Sequence, residues 1–497
     1  MNNKVKIILF SILILSFLLR LYNFRSYYVF SHDQDLASWI IKDILVNGHL
    51  RLIGQETSSQ GVFIGALFYY LQIPFYLFGR MSPLSAVFLP VILGVFATYS
   101  LFFVFSKIAN IKLGLIAAFI YAVSALIVFV DREVAPTMPV MLWTMWYLYS
   151  LFLIYKSKYL KGFVLNIFLI GLIWHLNPSL ILLTPLVLVA FLFSKKKIDK
   201  VTIFNVKAIL IGFLVLFLTS LPLIFFEFRH DFSQTKAVIL SLTTKKDFIQ
   251  GTSTGFAKFD RVMQLVNKNT ISIFSKHHFI HPSIVFILLI SLLYYFIKIK
   301  KINLFLSTTF ILWLGLYIVF FSLNSKNPSE YYFNGMNIIW IFIASLGLFE
   351  LKKTKVGLLL FYLLTILFFL VNINYIFKYN PDKKGYIEKV DLVKYINADR
   401  IKRDYPCISI SYITNPGYDL GYRYLFYLEN MHVNRPISNS PVYTIVYPHN
   451  LVNSIDKAFG SLGLIYPDYD RYNKEEVEKS YIGANSNLTD PMFGYTE

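Results

Sequence analysis

Two carboxylates stand two residues apart in Phe30-Ser31-His32-Asp33-Gln34-Asp35. They follow directly on an apolar run, at the depth where a lipid-linked substrate would present its head group, and either could take a proton from a hydroxyl nucleophile. The competing reading is structural: Asp33 or Asp35 caps the short amphipathic helix expected from Leu36, Trp39, Ile40 and Ile44 up to Gly48. Asp131-Arg132-Glu133 is a second cluster, followed by the turn-forming Ala135-Pro136-Thr137-Met138-Pro139. An Arg between acids suits bidentate contact with a phosphate, or else snorkels to lipid head groups. Glu227, Arg229, His230 and Asp231 form a third cluster behind another apolar run, where ionisable groups either bind substrate or are merely solvated. His277 and His281, four apart, could bring two imidazoles to one helical face, so a divalent metal stays open, although the segment lacks a carboxylate. Neither GxGxxG after a strand nor GxxxxGK[ST] occurs, so a nucleotide-driven pump or nucleotide-sugar enzyme lacks its usual signature.

The elements that must position these groups are membrane helices. The 497 residues are 56% hydrophobic, 18% aromatic and 15% charged, which excludes a soluble protein. Twelve apolar stretches are candidate spans: 5–22, 62–79, 84–105, 113–130, 138–155, 162–176, 179–193, 206–226, 283–297, 304–323, 334–349 and 356–377. Lys4 and Lys6 ahead of the first imitate a secretory signal, but no small-residue cleavage site follows and the run ends at Arg20 and Tyr22, which reads as a retained helix. A single cysteine, Cys407, leaves no intrachain disulfide and no Cys-rich metal centre. The net charge of +19 would suggest nucleic acid in a soluble protein, but the lysines sit in short loops between apolar runs, as the positive-inside rule requires, so no nucleic-acid partner is expected.

That rule tests the count. If all twelve stretches cross, the loops with Lys107 and Lys112, with Lys156, Lys158 and Lys161, and with Lys195, Lys196 and Lys197 fall on the opposite side from Lys4 and Lys6. If 62–79, interrupted by Gly65, Gln72 and Pro74, lies in the interface, all of them join the N-terminus in the cytoplasm, together with Lys298, Lys300, Lys301, Lys352, Lys353 and Lys355. Eleven crossings are therefore expected in a polytopic α-helical domain over 1–377, with outer loops at 23–82, 131–137, 227–282 and 324–333. Within the third loop, 258–274 is amphipathic and is expected to lie on the bilayer surface. Residues 378–497 carry no apolar run of spanning length and should form a soluble extracytoplasmic α/β domain.

The order of motifs resembles the bacterial GT-C membrane glycosyltransferases, nearest the protein-mannosyltransferase and lipid A aminoarabinose transferase branch. The residues that carry it are Asp33-Gln34-Asp35 after one crossing, the amphipathic helix to Gly48, Leu52-Ile53-Gly54-Gln55, and Gly61-Val62-Phe63-Ile64-Gly65 with the apolar stretch after it. They continue with Gly114-Leu115-Ile116-Ala117-Ala118 ahead of Asp131-Arg132, Phe226-Glu227-Phe228-Arg229-His230, and Glu330-Tyr331-Tyr332-Phe333. The resemblance implies a polyprenyl-phosphate-linked sugar as donor, a glycan, lipid or protein hydroxyl as acceptor, outer-face transfer in a cell membrane, and inversion at the anomeric carbon. Asp33 falls on the family's catalytic acid, with Asp35 as the neighbouring candidate; Gln34 replaces an acid that often follows. Arg132 matches an outer-loop Arg, and Arg229 and Lys326 join it as candidate phosphate ligands. Gln34, Gln55, Asp131, Glu133, Glu227, His230, Tyr331 and Tyr332 are the candidate substrate contacts. Two features depart from the branch: Ile64-Gly65-Ala66 stands where a Lys-Pro handles donor phosphate, and Ala135-Pro136 where a second acid precedes Pro. A transporter or flippase for lipid-linked glycans would use similar apolar crossings but needs polar residues mid-membrane, where this chain has almost none. A non-catalytic glycolipid-binding member is the other alternative.

Overall fold

The computed structural model describes residues 2–57, 59–194, 206–243, 255–277, 280–324, 328–481 and 485. The first helix, α1 (Asn3–Leu21), ends on a polar knot inside the bundle. Arg20 is fully buried, and its Nε and Nη2 donate to Asp131 Oδ2 at 2.9 and 2.5 Å. Its Nη1 donates to the Ser16 hydroxyl at 2.6 Å, and the Tyr121 hydroxyl reaches Asp131 Oδ1 at 3.3 Å. Glycine is required opposite: a Cβ at Gly94 would stand 2.5 Å from Arg20 Nε and 2.7 Å from Asp131 Oδ2. Arg132, next in sequence, donates through Nε to the Arg20 carbonyl at 3.1 Å and through Nη2 to those of Leu19 and Tyr22. It therefore caps the carbonyl-rich end of α1, where a cation is favoured.

After α1 come α2 (His32–Asn47), a two-stranded ribbon of β1 (Ile53–Glu56) and β2 (Phe63–Gly65), and α3 (Leu67–Phe78). The bundle continues with α4 (Phe88–Ile108), α5 (Ile111–Val123), α6 (Ala125–Val130), α7 (Val140–Tyr155), α8 (Tyr159–Leu176) and α9 (Val206–Arg229). It closes with α10 (Phe256–Phe274), α11 (Pro282–Lys298), α12 (Leu304–Leu323), α13 (Asn337–Leu351) and α14 (Lys355–Lys378). Among the described residues six helices are long and apolar enough to cross a membrane, and others are shorter apolar helices. The fold is mostly helical and that of a multi-pass membrane protein.

Contacts sort the loops into two ends. Glu350 meets Lys301 at 3.5 Å and Lys353 at 2.7 Å, and Tyr155 stacks on Phe305 at 4.4 Å, so the Lys-bearing loops after α7, α11 and α13 share one end. At the other end, Tyr22 meets Arg132, and the Tyr27 hydroxyl meets the Tyr379 carbonyl at 2.8 Å. The twelve residues of α3 span about 18 Å, short of a ~30 Å hydrocarbon core. Both its halves attach beside α2: the Tyr70 hydroxyl donates to the Arg51 carbonyl at 2.8 Å, the Tyr76 hydroxyl bonds Ser38 at 2.8 Å, and the Met81 carbonyl after it accepts from the Tyr424 hydroxyl at 3.1 Å.

Two expectations are corrected. The stretch 113–130 is not one helix: it breaks at Ser124, where the Asn372 side chain takes the Ala125 N–H at 2.8 Å and the Ser124 hydroxyl bonds the Ile273 carbonyl at 2.6 Å. The apolar side of α10 does not face lipid. Val262, Val266 and Ile273 are buried, and α10 packs against α6, α11, α12 and α13.

The C-terminal domain opens with α15 (Tyr386–Lys402) and builds a mixed five-stranded sheet of order β4-β3-β5-β7-β6. Its strands are β3 (Ile408–Thr414), β4 (Val433–Asn434), β5 (Val442–Tyr447), β6 (Lys457–Phe459) and β7 (Leu462–Ile465); β4 and β5 lie parallel to β3. A short helix, α16 (Arg423–Leu428), connects β3 to β4. The domain docks on α2. Asp35, buried, accepts the Tyr424 N–H at 2.9 Å at the start of α16, and the Trp39 ring lies 5.5 Å from that of Tyr424. Lys389 donates to the Leu420 carbonyl at 2.9 Å and sits 4.2 Å over the Tyr422 ring; burial pushes its ammonium down to about 8, with nearby Asp35 opposing. Gly421, at φ +84°, is wedged here: a Cβ would meet Lys389 Nζ at 2.8 Å and the Ser31 carbonyl carbon at 2.9 Å.

A reporter fused at Asn110, on the Lys-bearing end, should read cytoplasmic, and one at Thr137 extracytoplasmic; the reverse pair would sink the assignment of faces. Asp131→Asn leaves the Arg20 charge buried without its counter-charge, which typically costs about 3–5 kcal/mol, so thermal unfolding in detergent should fall sharply. An Arg20→Leu/Asp131→Leu double variant should recover much of that loss.

Candidate active site

The capping of α2 frees Asp33. Ser31 is the N-cap, and Gln34 closes the capping box by accepting the Ser31 N–H at 3.0 Å. Neither Asp33 nor Asp35 caps this helix, contrary to the structural reading of the sequence. Asp33 lies in the first turn, where the helix dipole favours a carboxylate, and is exposed. Gln34 Nε2 donates to the Val134 carbonyl at 3.1 Å and ties this turn to the 131–137 loop.

Polar groups from several other elements share this end of the bundle with Asp33 and form a circuit there. The Asp33 charge bears on the hydroxyls of Tyr69, on α3, and Tyr331, ahead of α13. The Tyr69 hydroxyl is buried and has no hydrogen-bond partner among the described residues; burial first, then Asp33, push it well above the ordinary phenol range. Next to Tyr331, Glu330 pairs with Lys268 of α10. Glu330 and Glu133 both bear on Lys276, just past α10, where burial lowers the ammonium below the ordinary lysine range against their pull. Glu133 keeps a solvent-accessible side chain, yet protein crowds it enough that desolvation pushes the carboxyl up to about 7, with Lys276 opposing and Asp131 adding. Glu133 adjoins Val134, and the circuit returns to Gln34. It can therefore offer a carboxylate to accept a proton at Asp33 and lysine ammoniums to hold an anion at the α10 side.

The expected site residues divide accordingly. Asp33, Glu133 and Tyr331 lie on the circuit, and Tyr332 stacks on Tyr331 at 4.5 Å. Asp35, expected as a catalytic alternative, is buried in domain docking. Arg132, expected as a phosphate ligand, has its Nε and Nη2 on backbone carbonyls and its ring-facing side over Tyr27 at 4.7 Å, and Asp131, expected to touch substrate, is paired with Arg20. Glu227 receives the Thr235 N–H at 3.1 Å, His230 Nδ1 lies 2.9 Å from the Phe226 carbonyl, and Arg229 is exposed at the end of α9. Gln55 is half-buried in β1. Lys326 lies outside the described residues, as do Lys195 to Lys197 of the sequence argument. Lys268, Lys276 and Tyr69 were not singled out from sequence. The lysines carry one signal: positive-inside patterning makes Lys on the outer side the exception. Among the described residues no three His, Cys, Asp or Glu side chains converge as metal ligands.

The profile of the dolichyl-phosphate-mannose-protein mannosyltransferase family matches residues 66–257. ArnT from Cupriavidus metallidurans bound to undecaprenyl phosphate superposes with a TM-score of 0.58 at 8% identity, covering 95% of this chain and 100% of that one. The fold is that of the GT-C glycosyltransferases. A second GT-C structure, the Archaeoglobus fulgidus oligosaccharyltransferase tethered with an acceptor peptide containing the NVT sequon, gives a TM-score of 0.55 at 15% identity, covering 89% of this chain and 69% of that one. No curated protein sequence matches the chain.

The Glu133 carboxyl has a folded-state pKa of about 7 against an ordinary 4.5. Between those values the folded protein binds the extra proton, so the group costs stability above pH 7 and the cost is relieved as pH falls. Glu133→Gln should therefore raise the unfolding midpoint at pH 8 and change it little at pH 4. An equal shift at both would mean that Glu133 ionises normally.

Proposed function

We propose that this protein is a membrane glycosyltransferase that moves a sugar from a polyprenyl-phosphate donor to a hydroxyl acceptor on the extracytoplasmic face, with inversion. The observation that carries the reading is the circuit itself: an uncapped, exposed Asp33 on the first turn of α2 shares one end of a GT-C bundle with Lys268 and Lys276. Asp33 takes the proton of the acceptor hydroxyl as its oxygen attacks the anomeric carbon, and the lysines stabilise the departing lipid phosphate. Inversion needs base and phosphate on opposite faces of the sugar. Glu133, with its carboxyl near neutral, holds a sugar hydroxyl or shares a proton with the phosphate. An apolar groove of about 650 Å³ along Leu312, Leu316, Val319 and Leu323 of α12, open at the same end, suits a prenyl chain.

Asp33→Asn keeps the shape but cannot accept a proton, and turnover of polyprenyl-phosphate sugar should fall about 10²- to 10⁴-fold. Donor binding should persist in that variant and weaken in Lys276→Gln. Full turnover in Asp33→Asn would overturn the reading.

A further inference from the structure

In the sheet of the C-terminal domain, β3 is paired along its length on one side only. Its ladder with β5 runs from Ser409 to Thr414, whereas that with β4 covers Ile408 and Ser409. The path of the chain is the reason. After Asn434 it turns away from β4, with the Ser409 hydroxyl donating to the Arg435 carbonyl at 3.0 Å; Pro436 follows with no N–H to offer, and Val442 opens β5 opposite Ser409 on the other side. Backbone groups face alternate sides along a strand. The Ile408 N–H goes to His432 on the β4 side at 3.1 Å and the Ser409 N–H to Pro441 on the β5 side at 2.8 Å, so the N–H and C=O groups of Tyr412 and Thr414 point to where β4 would continue. Among the described residues no strand takes them.

A cleft of about 570 Å³ lies along this open edge. Tyr412 and Thr414 line it, with Pro436 just past β4 at one end and Asp419 and Leu420 of the loop after β3 at the other; Arg423, at the start of α16, also lines it. The stretch from Ile410 to Thr414 extends over roughly 13 Å at ~3.3 Å per step, the length of a short extended segment. Ile437, next to Pro436, is 88% exposed, an apolar side chain with nothing over it at the mouth of the cleft.

We propose that this cleft binds an extended peptide segment of another protein, added as a strand to the open edge of β3. Binding of this kind is independent of the transferase reading. A row of unpaired strand donors and acceptors is a template for another main chain, whose alternate residues would bond Tyr412 and Thr414 while its side chains meet Leu420 and Ile437. A glycan has no N–H and C=O repeat to match that row. A strand already built into a folded sheet, such as one from a second copy of this chain, is kept out by Pro436 and the loop after β3 at the two ends, whereas a single unfolded segment can enter. Asp419 and Arg423 bring charges of both signs, so the wall favours neither a uniformly acidic nor a uniformly basic segment.

The test uses the full chain in nanodiscs. Random heptapeptides displayed on phage are panned against it, with empty nanodiscs as counter-selection, and the enriched peptides are synthesised and titrated against wild type, Thr414→Pro and Thr414→Val. The proline removes an N–H that faces the cleft and none that pairs with β5, a place where an edge strand accepts proline; the valine removes only the hydroxyl. Thr414→Pro should weaken binding at least tenfold, and Thr414→Val should stay within twofold of wild type. N-methylation of the peptide at successive residues should weaken binding with a period of two, a readout that needs no variant to fold. No enriched peptide, wild-type affinity in a folded Thr414→Pro, or indifference to N-methylation would overturn the proposal. So would cell-envelope glycan fragments that compete for the cleft and lose binding in Thr414→Val, or a wild-type dimer that Thr414→Pro dissociates.

Discussion

The buried Arg20–Asp131 ion pair is the constraint on which the candidate site depends. Two charges inside an apolar bundle are tolerated only with close geometry and further hydrogen bonds, and both conditions hold here: Ser16 and Tyr121 satisfy remaining positions and Gly94 clears the space. The pair joins the end of α1 to the end of α6. The chain runs from the first of those ends through twelve residues to Asp33, and from the second through three to Glu133. Arg132 strengthens the same junction by capping α1, so two consecutive residues of one short loop, Asp131 and Arg132, tie the two segments together.

A second junction sets the orientation of α2. Asp35 at the start of α16, with Trp39 and Lys42 against the aromatic rings of that helix, makes the C-terminal domain part of the scaffold that holds the turn carrying Asp33. Residues of α2, α3, α15 and the sheet share one hydrophobic core. Every residue of α2 from Asp35 to Ile44 is covered by protein, and Asp33 stays exposed because it lies in the first turn, at the end of the helix.

Much of this organisation is legible in the sequence because it follows from repeated, local patterns. Apolar runs identify the helices, and the Gly65, Gln72 and Pro74 interruptions agree with the short α3, Leu67–Phe78, that the structure forms within 62–79. The ordinary punctuation after residue 377 separates the C-terminal domain. What the sequence hides is partnership. Asp131-Arg132-Glu133 reads as one polar cluster, but the first is buried against Arg20, the second turns to the end of α1 and the third faces the circuit. Only helix packing, set by residues more than a hundred positions away, distinguishes them. Ser31 displaces the two aspartates as N-cap for a similar reason: several residues able to cap stand in a row, and the winner is decided by where the backbone leaves the extended region.

The choice of lysine rather than arginine at the anion side then has a physical rationale. Arg132 spends Nε and Nη2 on the carbonyls at the end of α1, which leaves its Nη1, buried and without a hydrogen-bond partner among the described residues, as its remaining donor. Lys268 and Lys276 occur on the flank of α10 amid Glu330 and Glu133, where acid and base alternate and the unliganded site is nearly balanced in charge. Burial lowers the Lys276 ammonium below the ordinary lysine range, and Glu330 and Glu133 oppose that shift. On the proposed function, a phosphate entering this alternation would displace carboxylate contacts instead of filling an uncompensated positive pocket, and would leave again more readily than from a bidentate arginine clamp.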